Sequence, residues 1–277
     1  MNIVVCMKQV PDTEAQIRVK PDGSGIVESD IKFVMNPYDE FGVEEALLIK
    51  EKLGGTVTIL CLGPDRAIEA IRTGLAMGAD KAVHLLDPAF DGGDAISTAK
   101  ALAAAIKGME CDLIFCGKQA IDDDGAMVGS VLAEMLDIPQ VSIVTKVEVA
   151  DDGKSAKVNR QILGGEEILE VPFPAVLSAQ KGLNEPRYAS LPGIMKAKKK
   201  EVKPMTAADL GLDAGVVGSA GAKTKILKMT APPQREAAKM IEGETAEEKA
   251  PKLAKLLREE AKACLLYTSP SPRDGTK

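Results

Sequence analysis

The stretch Leu113-Ile114-Phe115-Cys116-Gly117-Lys118-Gln119-Ala120-Ile121-Asp122-Asp123-Asp124-Gly125-Ala126-Met127-Val128-Gly129 reads as a buried strand, a polar loop and the start of a helix. Four consecutive apolar residues suit a strand covered on both faces, as in a parallel sheet. Similar short runs occur at Ile3 to Met7, Val57 to Cys61, Ala82 to Leu85, Val141 to Val144 and Ala175 to Ala179. Between them, Ile68, Ile71 and Leu75 share one helical face, and Val131, Leu132, Met135 and Leu136 share another. This alternation predicts an α/β protein with a doubly wound, mostly parallel sheet. From about Val147 the pattern changes to alternating strands, Lys157 to Leu163 and Glu167 to Val171, joined across Gly164-Gly165, which predicts a β-hairpin extension. The turn Lys20-Pro21-Asp22-Gly23-Ser24-Gly25 predicts a second hairpin inserted after the first strand.

Beyond Lys181 the periodicity fades among Pro186, Pro192 and Pro204 and a series of glycines, the pattern of an arm laid over a partner. A last helix, about Ala246 to Ala263, carries Leu253, Leu256 and Leu257 on one side and needs a surface to pack against. From Cys264 to Lys277 the composition changes abruptly, and this segment is read as a non-native tail. The expected organisation is an α/β domain over 1–180, a partner-recognition loop over 181–203, an arm and helix over 204–263, and the tail over 264–277.

Of the 277 residues, 45% are hydrophobic and only 3% aromatic, with no Trp, so the core must be built from Val, Ile, Leu, Ala and Met. Stacking platforms for single-stranded nucleic acid are therefore not expected. A net charge of -6 repels phosphate polymers, so no nucleic-acid partner is expected either. Cys6, Cys61 and Cys116 sit inside strand-like runs and read as small hydrophobes in a reducing compartment. The single histidine, His84, cannot build a His-rich metal site, and no metal is expected. The first residues are strand-like, without a basic or signal-length apolar region, which predicts a cytoplasmic protein with no direct membrane insertion. Neither G-x-G-x-x-G after a strand, nor a P-loop, a G-x-S-x-G elbow or H-E-x-x-H occurs, so no catalytic residue is assigned.

Three segments invite function. The loop Gly117 to Gly129 lies at the carboxyl edge of a parallel strand, where open α/β sheets hold ligands. Free N–H groups at the following helix start suit a phosphate, with Asp122, Asp123 and Asp124 expected to cap that helix or bind sugar hydroxyls. Asn36-Pro37-Tyr38-Asp39 opens a helix with Asn as N-cap and Pro at its first position, which as structure alone needs no ligand. Asp94, after Asp91-Gly92-Gly93, reads as a helix N-cap rather than part of a phosphate loop. In Asn184 to Lys200, an apolar tip, Leu191 to Met195, stands beside a lysine run. That is either a solvated basic turn or a docking loop for an acidic partner.

Together these segments closely resemble the β subunit of electron-transfer flavoprotein. So do Cys6-Met7-Lys8-Gln9-Val10, Thr73-Gly74-Leu75-Ala76-Met77-Gly78-Ala79-Asp80 and Pro232-Pro233-Gln234-Arg235, and the likeness runs from Met1 to about Ala263. The resemblance implies an adenine-nucleotide α-hydrolase-like fold and pairing with an α subunit that holds the redox FAD. It implies electron transfer from flavin dehydrogenases, such as acyl-CoA dehydrogenases, to a quinone-linked oxidoreductase, without bond-making catalysis by this chain. The family's AMP site maps onto Cys6; onto Asn36, Pro37, Tyr38 and Asp39; onto Leu62; and onto Lys118, Gln119, Ala120, Ile121, Asp122, Asp123, Asp124, Gly125, Ala126, Met127, Val128 and Gly129. Its recognition loop maps onto Leu191, Pro192, Ile194, Met195, Lys196 and Lys199, with Leu191 as the residue that fills a partner's apolar pocket. Lys196 and Lys199 match positions that some members methylate. The sequence departs from the family after the Asp run, where Gly125 to Gly129 replaces a polar Gln-Thr-Gly ending. Bifurcating relatives hold a second FAD in this pocket; Asp123 in the middle of the run is expected to crowd a flavin and favours AMP, with FAD as the alternative. Two rivals from other classes are a stand-alone adenine-nucleotide-dependent enzyme and a nucleotide-sensing stress protein.

Overall fold

Along the strand β1 (Asn2–Met7), Ile3, Val5 and Met7 join one buried cluster while Val4 and Cys6 join another on the opposite face. Such a strand must be sandwiched between helix layers, and the computed structural model shows this arrangement. It describes residues 1–233 and 238–261, in two units, Met1–Thr230 and the segment from Ala231 onward.

The elements of the first unit run in order through β2 (Gln9–Pro11), β3 (Phe33–Met35), α1 (Pro37–Leu53), β4 (Thr56–Leu62), α2 (Ile68–Met77), β5 (Lys81–Leu85), α3 (Ala95–Lys107), β6 (Leu113–Gly117) and α4 (Val128–Leu136). There follow β7 (Gln140–Val149), β8 (Ser155–Ile162), β9 (Gly165–Pro172), β10 (Ala175–Ala179), α5 (Leu191–Ala197), β11 (Val202–Met205) and α6 (Gly218–Gly221). The main sheet has the order β11-β5-β4-β1-β6-β10-β7-β8-β9. Its strands are parallel from β11 to β7, and β8 and β9 add an antiparallel hairpin. Val43 and Leu47 of α1 and Ile71 and Leu75 of α2 cover one face; Leu102 and Ile106 of α3 and Leu132 of α4 cover the other. The expected α/β architecture is thus observed.

The chain leaves β1 toward β4 and β5 on one side, then crosses back to place β6 on the other. This reversal opens a crevice between the carboxyl ends of β1 and β6, the position at which such sheets hold ligands. The small β2–β3 sheet frames residues 12–32, whose tip is the expected turn, closed by an antiparallel bridge between Val19 and Ile26.

Several expectations need correction. β7 is a single strand reaching Val149, past the point where the sequence pattern changes, because its outer half pairs with β8. Ile162 pairs with Gly165, so the hairpin turn is Leu163-Gly164 and Gly165 already belongs to β9. β11 has no counterpart in the sequence pattern: four residues with Pro204 at a sheet edge carry no apolar run, and the strand exists because β5 offers it a free edge. The apolar tip at Leu191 is a short helix, capped by Ser190, and not a loop.

In the second unit, α7 (Ala246–Glu259) starts at Thr245, whose hydroxyl accepts the Glu248 amide at 3.3 Å. None of its residues is buried, and Leu253 is exposed. The expected non-native tail, 264–277, lies outside the described residues.

Candidate functional site

The crevice is held by one buried carboxylate. Asp39, in the first turn of α1 and only 4% exposed, accepts the Lys8 amide at 2.7 Å just after β1 and the Gly117 amide at 2.9 Å at the end of β6. Its Oδ1 also accepts the Asn36 amide group at 3.0 Å. Burial pushes the Asp39 carboxyl up to about 7, although all three hydrogen bonds favour the charged form. Asn36 occupies the N-cap position, but its side chain does not cap α1 as expected. It reaches across instead, donating to the Gln119 carbonyl at 2.9 Å and accepting the Ile121 amide at 3.2 Å. Asn36 and Asp39 therefore fix the strand ends and the loop after β6 in one network. Gly117 is required beside them, because a Cβ there would lie 2.8 Å from the Tyr38 Cβ and still closer to the Asp39 carboxylate.

A cavity of about 370 Å³ opens above this network. Of the residues singled out in the sequence, Cys6, Asn36, Asp39, Leu62, Lys118, Gln119, Ala120 and Asp123 line it, as does the whole segment Gly125 to Gly129. Pro37, Tyr38, Ile121, Asp122 and Asp124 do not; Tyr38 carries the Lys118 ammonium 5.3 Å from its ring centroid. Cys6 and Cys116 form part of the floor, and the neighbouring Cys116 thiol, together with burial, pushes the Cys6 thiol well above the ordinary thiol range. They are inert packing thiols.

The three carboxylates do not cap α4. Met127 holds the N-cap position without any side-chain cap, which leaves the N–H groups of Val128 and Gly129 free at the cavity wall. Lys8 instead binds Asp122 at 2.7 Å and Asp123 at 3.1 Å. Burial works against the Lys8 charge, but these two partners outweigh it and raise its affinity for the proton. Asp123 also accepts the Gly125 amide at 3.0 Å, and Asp124 accepts the Gln119 side chain at 2.5 Å. Asp124 and Ala126 both adopt positive φ, 49° and 51°, so this loop turns sharply to present its backbone to the cavity. Lys8 offsets part of the charge of the acidic run, and the first residues of α4 lie at the cavity wall beside it.

The sequence reading missed the opposite wall. Gly63, Pro64, Phe90 and Asp91 to Ala95 line the cavity together with Thr98. Asp94 does cap α3, accepting the Ile96 and Ser97 amides at 3.1 and 2.9 Å. Its other oxygen accepts the Lys223 amide at 2.6 Å and the Thr224 amide at 3.0 Å, which latches the strap after α6 onto this wall. His84 supports the same side, with Nε2 3.0 Å from the Gly63 carbonyl. A helix cap was legible at Asp94; its place at the crevice depends on the sheet order.

The segment from Asn184 to Lys200 lies away from the cavity. Leu191 is 79% and Met195 72% exposed, Ile194 is also exposed, and Pro192, Lys196 and Lys199 stand with them on the surface. Its root is bound to α1: Asn184 donates to the Phe41 carbonyl and Glu45, and Arg187 to the buried Glu44 at 2.8 Å and to Glu51 at 2.6 Å.

Fold and cavity define a doubly wound α/β protein with a ligand crevice at its topological switch point. The model of the electron transfer flavoprotein domain matches residues 24–210. "Electron transfer flavoprotein subunit beta" of Thermoanaerobacterium thermosaccharolyticum is 46% identical over 248 residues, covering 89% of this chain and 94% of that protein. The protein of the same name from Bacillus subtilis is 42% identical over 264 residues, covering 95% and 99%. "Caffeyl-CoA reductase-Etf complex subunit CarD" of Acetobacterium woodii is 39% identical over 261 residues, covering 94% and 98%. The chain belongs to the electron transfer flavoprotein family, as a β subunit. Its role is electron transfer in partnership with an α subunit. Among the described residues, no helix is long and apolar enough to cross a membrane.

Proposed function

We propose that this chain holds AMP in the switch-point cavity as a structural ligand. It completes the environment of an FAD held mainly by the α subunit, and passes electrons from acyl-CoA or related flavin dehydrogenases to a quinone-linked acceptor. The observation that carries this reading is the uncapped start of α4 facing a cavity of about 370 Å³. That volume is near the small end of the roughly 300–1,000 Å³ usual for ligand pockets, which suits a mononucleotide. The N–H groups of Val128 and Gly129 are the phosphate donors in this reading, and Gln119 and Asp123 supply polar contacts for the sugar. Cys6 and Leu62 offer the base apolar walls and backbone groups. In this reading no side chain makes or breaks bonds, and the Cys116 thiol and burial hold the Cys6 thiol protonated. Bound FAD supplies the reversible redox chemistry. This chain's part is to bind, orient and recognise.

The segment 181–203 serves as the recognition element in this reading, with Leu191 as its anchor. The described part of the 204–263 arm faces the α subunit. Denaturing the co-purified α–β complex and identifying what it releases tests the reading. One FAD and one AMP per heterodimer is the expected result, and a complex free of flavin overturns it. The CarD relative favours a second reading, in which the cavity takes FAD and the complex bifurcates electrons; two FAD and no AMP per heterodimer would establish that reading in place of the first.

A further inference from the structure

α5 is pressed onto the carboxyl end of α2. At Gly193 a Cβ would lie 2.6 Å from the Ala76 carbonyl oxygen, and Ala197 is buried. Two cations cross this contact in opposite directions. Arg72 of α2 donates to the carbonyls of Ala197 and Lys200, at 2.5 and 2.8 Å, where α5 ends. Lys200, just past α5, donates to the carbonyls of Leu75 and Ala79, at 3.0 and 2.5 Å, where α2 ends. Each helix thus has its orphan carbonyls satisfied, and its negative dipole end offset, by a cation from the other. Lys200 differs in this from Lys196, Lys198 and Lys199, which are exposed.

We propose that Arg72 and Lys200 are positioning residues: their reciprocal caps, with Gly193 at the contact, hold the exposed face of Leu191, Ile194 and Met195 in a preset orientation for a donor protein. The proposal rests on the reading of this segment as the docking element. A seven-residue helix has little stability of its own, so without the caps it frays and its ordering must be supplied on binding. The lysine run therefore divides its labour. Lys196, Lys198 and Lys199 act on the partner through salt-sensitive attraction, while Lys200 acts through partly buried hydrogen bonds that salt screens less.

The test uses the α–β complex and two readouts: the rate of tryptic cleavage after Lys196, Lys198 and Lys199, followed by mass spectrometry, and the KM and kcat for reduction by a flavin dehydrogenase. Arg72→Gln, which removes both charge-assisted hydrogen bonds, is expected to raise both cleavage and KM about tenfold or more, with kcat and nucleotide content unchanged. Arg72→Lys should restore part of both, and the rise in KM should persist at high salt. Gly193→Ala, whose methyl group pushes α5 off Ala76, should reproduce the pattern if Arg72→Gln does not fold. Unchanged cleavage in these variants overturns the clamp. Raised cleavage with unchanged KM, where Leu191→Ala does raise KM, overturns the positioning role. Unchanged KM in Leu191→Ala overturns the docking reading, and the positioning role with it; raised cleavage in Arg72→Gln would then still show that the clamp itself is real.

Discussion

Asp39 accepts the backbone N–H of Gly117 at 2.9 Å across 78 positions of sequence, so the first turn of α1 closes the carboxyl end of β6. The same carboxylate holds Lys8 beyond β1, and the two strands that flank the crevice share one acceptor.

Gly117→Ala places a methyl group against Tyr38 and the Asp39 carboxylate, neither of which can move without breaking the network. Overpacking of this kind costs roughly 1–3 kcal/mol. Urea denaturation should show that loss, and the purified complex should retain less nucleotide.

The raised Asp39 carboxyl makes stability depend on pH with an unusual sign. Its pKa is about 7 in the folded chain against 3.8 when unfolded, so between these values the folded state binds more proton. The contribution is fully present below pH 3.8 and is lost as pH rises through 7, at up to about 1.4 kcal/mol per pH unit. Asp39→Asn should lower stability, because an amide cannot accept from both backbone donors, and should flatten this slope. Comparing urea midpoints of the two proteins from pH 5 to 8 checks both statements.

Lys8 offsets part of the charge of Asp122 and Asp123 next to the proposed phosphate site. Its side chain is 43% exposed, so Lys8→Met should change stability by less than about 0.5 kcal/mol. With two carboxylates left uncompensated, AMP affinity should drop about tenfold or more, by isothermal titration of nucleotide-stripped complex at low salt.

Asp94→Ala removes a helix cap and the strap latch together. The cap alone is worth about 1 kcal/mol, and loss of the Lys223 and Thr224 contacts should speed proteolysis within residues 223–230. Backbone donors, first that of Ser97, hold this carboxyl down at about 2, so its contribution persists above pH 3.8 and is lost as pH falls through 2. Limited proteolysis with and without AMP would show whether the latch and the cavity respond together.

Much of the molecule was legible without coordinates. The apolar runs at 3–7, 57–61, 82–85 and 113–116 each became a sheet strand, because burial on both faces leaves a continuous apolar signature. β11 and α5 left no such mark. Four half-exposed residues and a seven-residue helix take their structure from β5 and α2, the surfaces they meet.

By itself the amino-acid order determined the buried parallel strands, the helices between them, and which loop leaves the carboxyl end of β6, because those properties follow from local periodicity and backbone preference. Only the tertiary structure decided that Asp39 bridges Lys8 and Gly117, that Lys8 rather than α4 takes the acidic run, and that the Asp94 wall closes the cavity. Those partners lie tens to more than a hundred positions apart. Their meeting is set by the order of strands in the sheet, and hydrogen bonds between residues of such separation have no local signature to read.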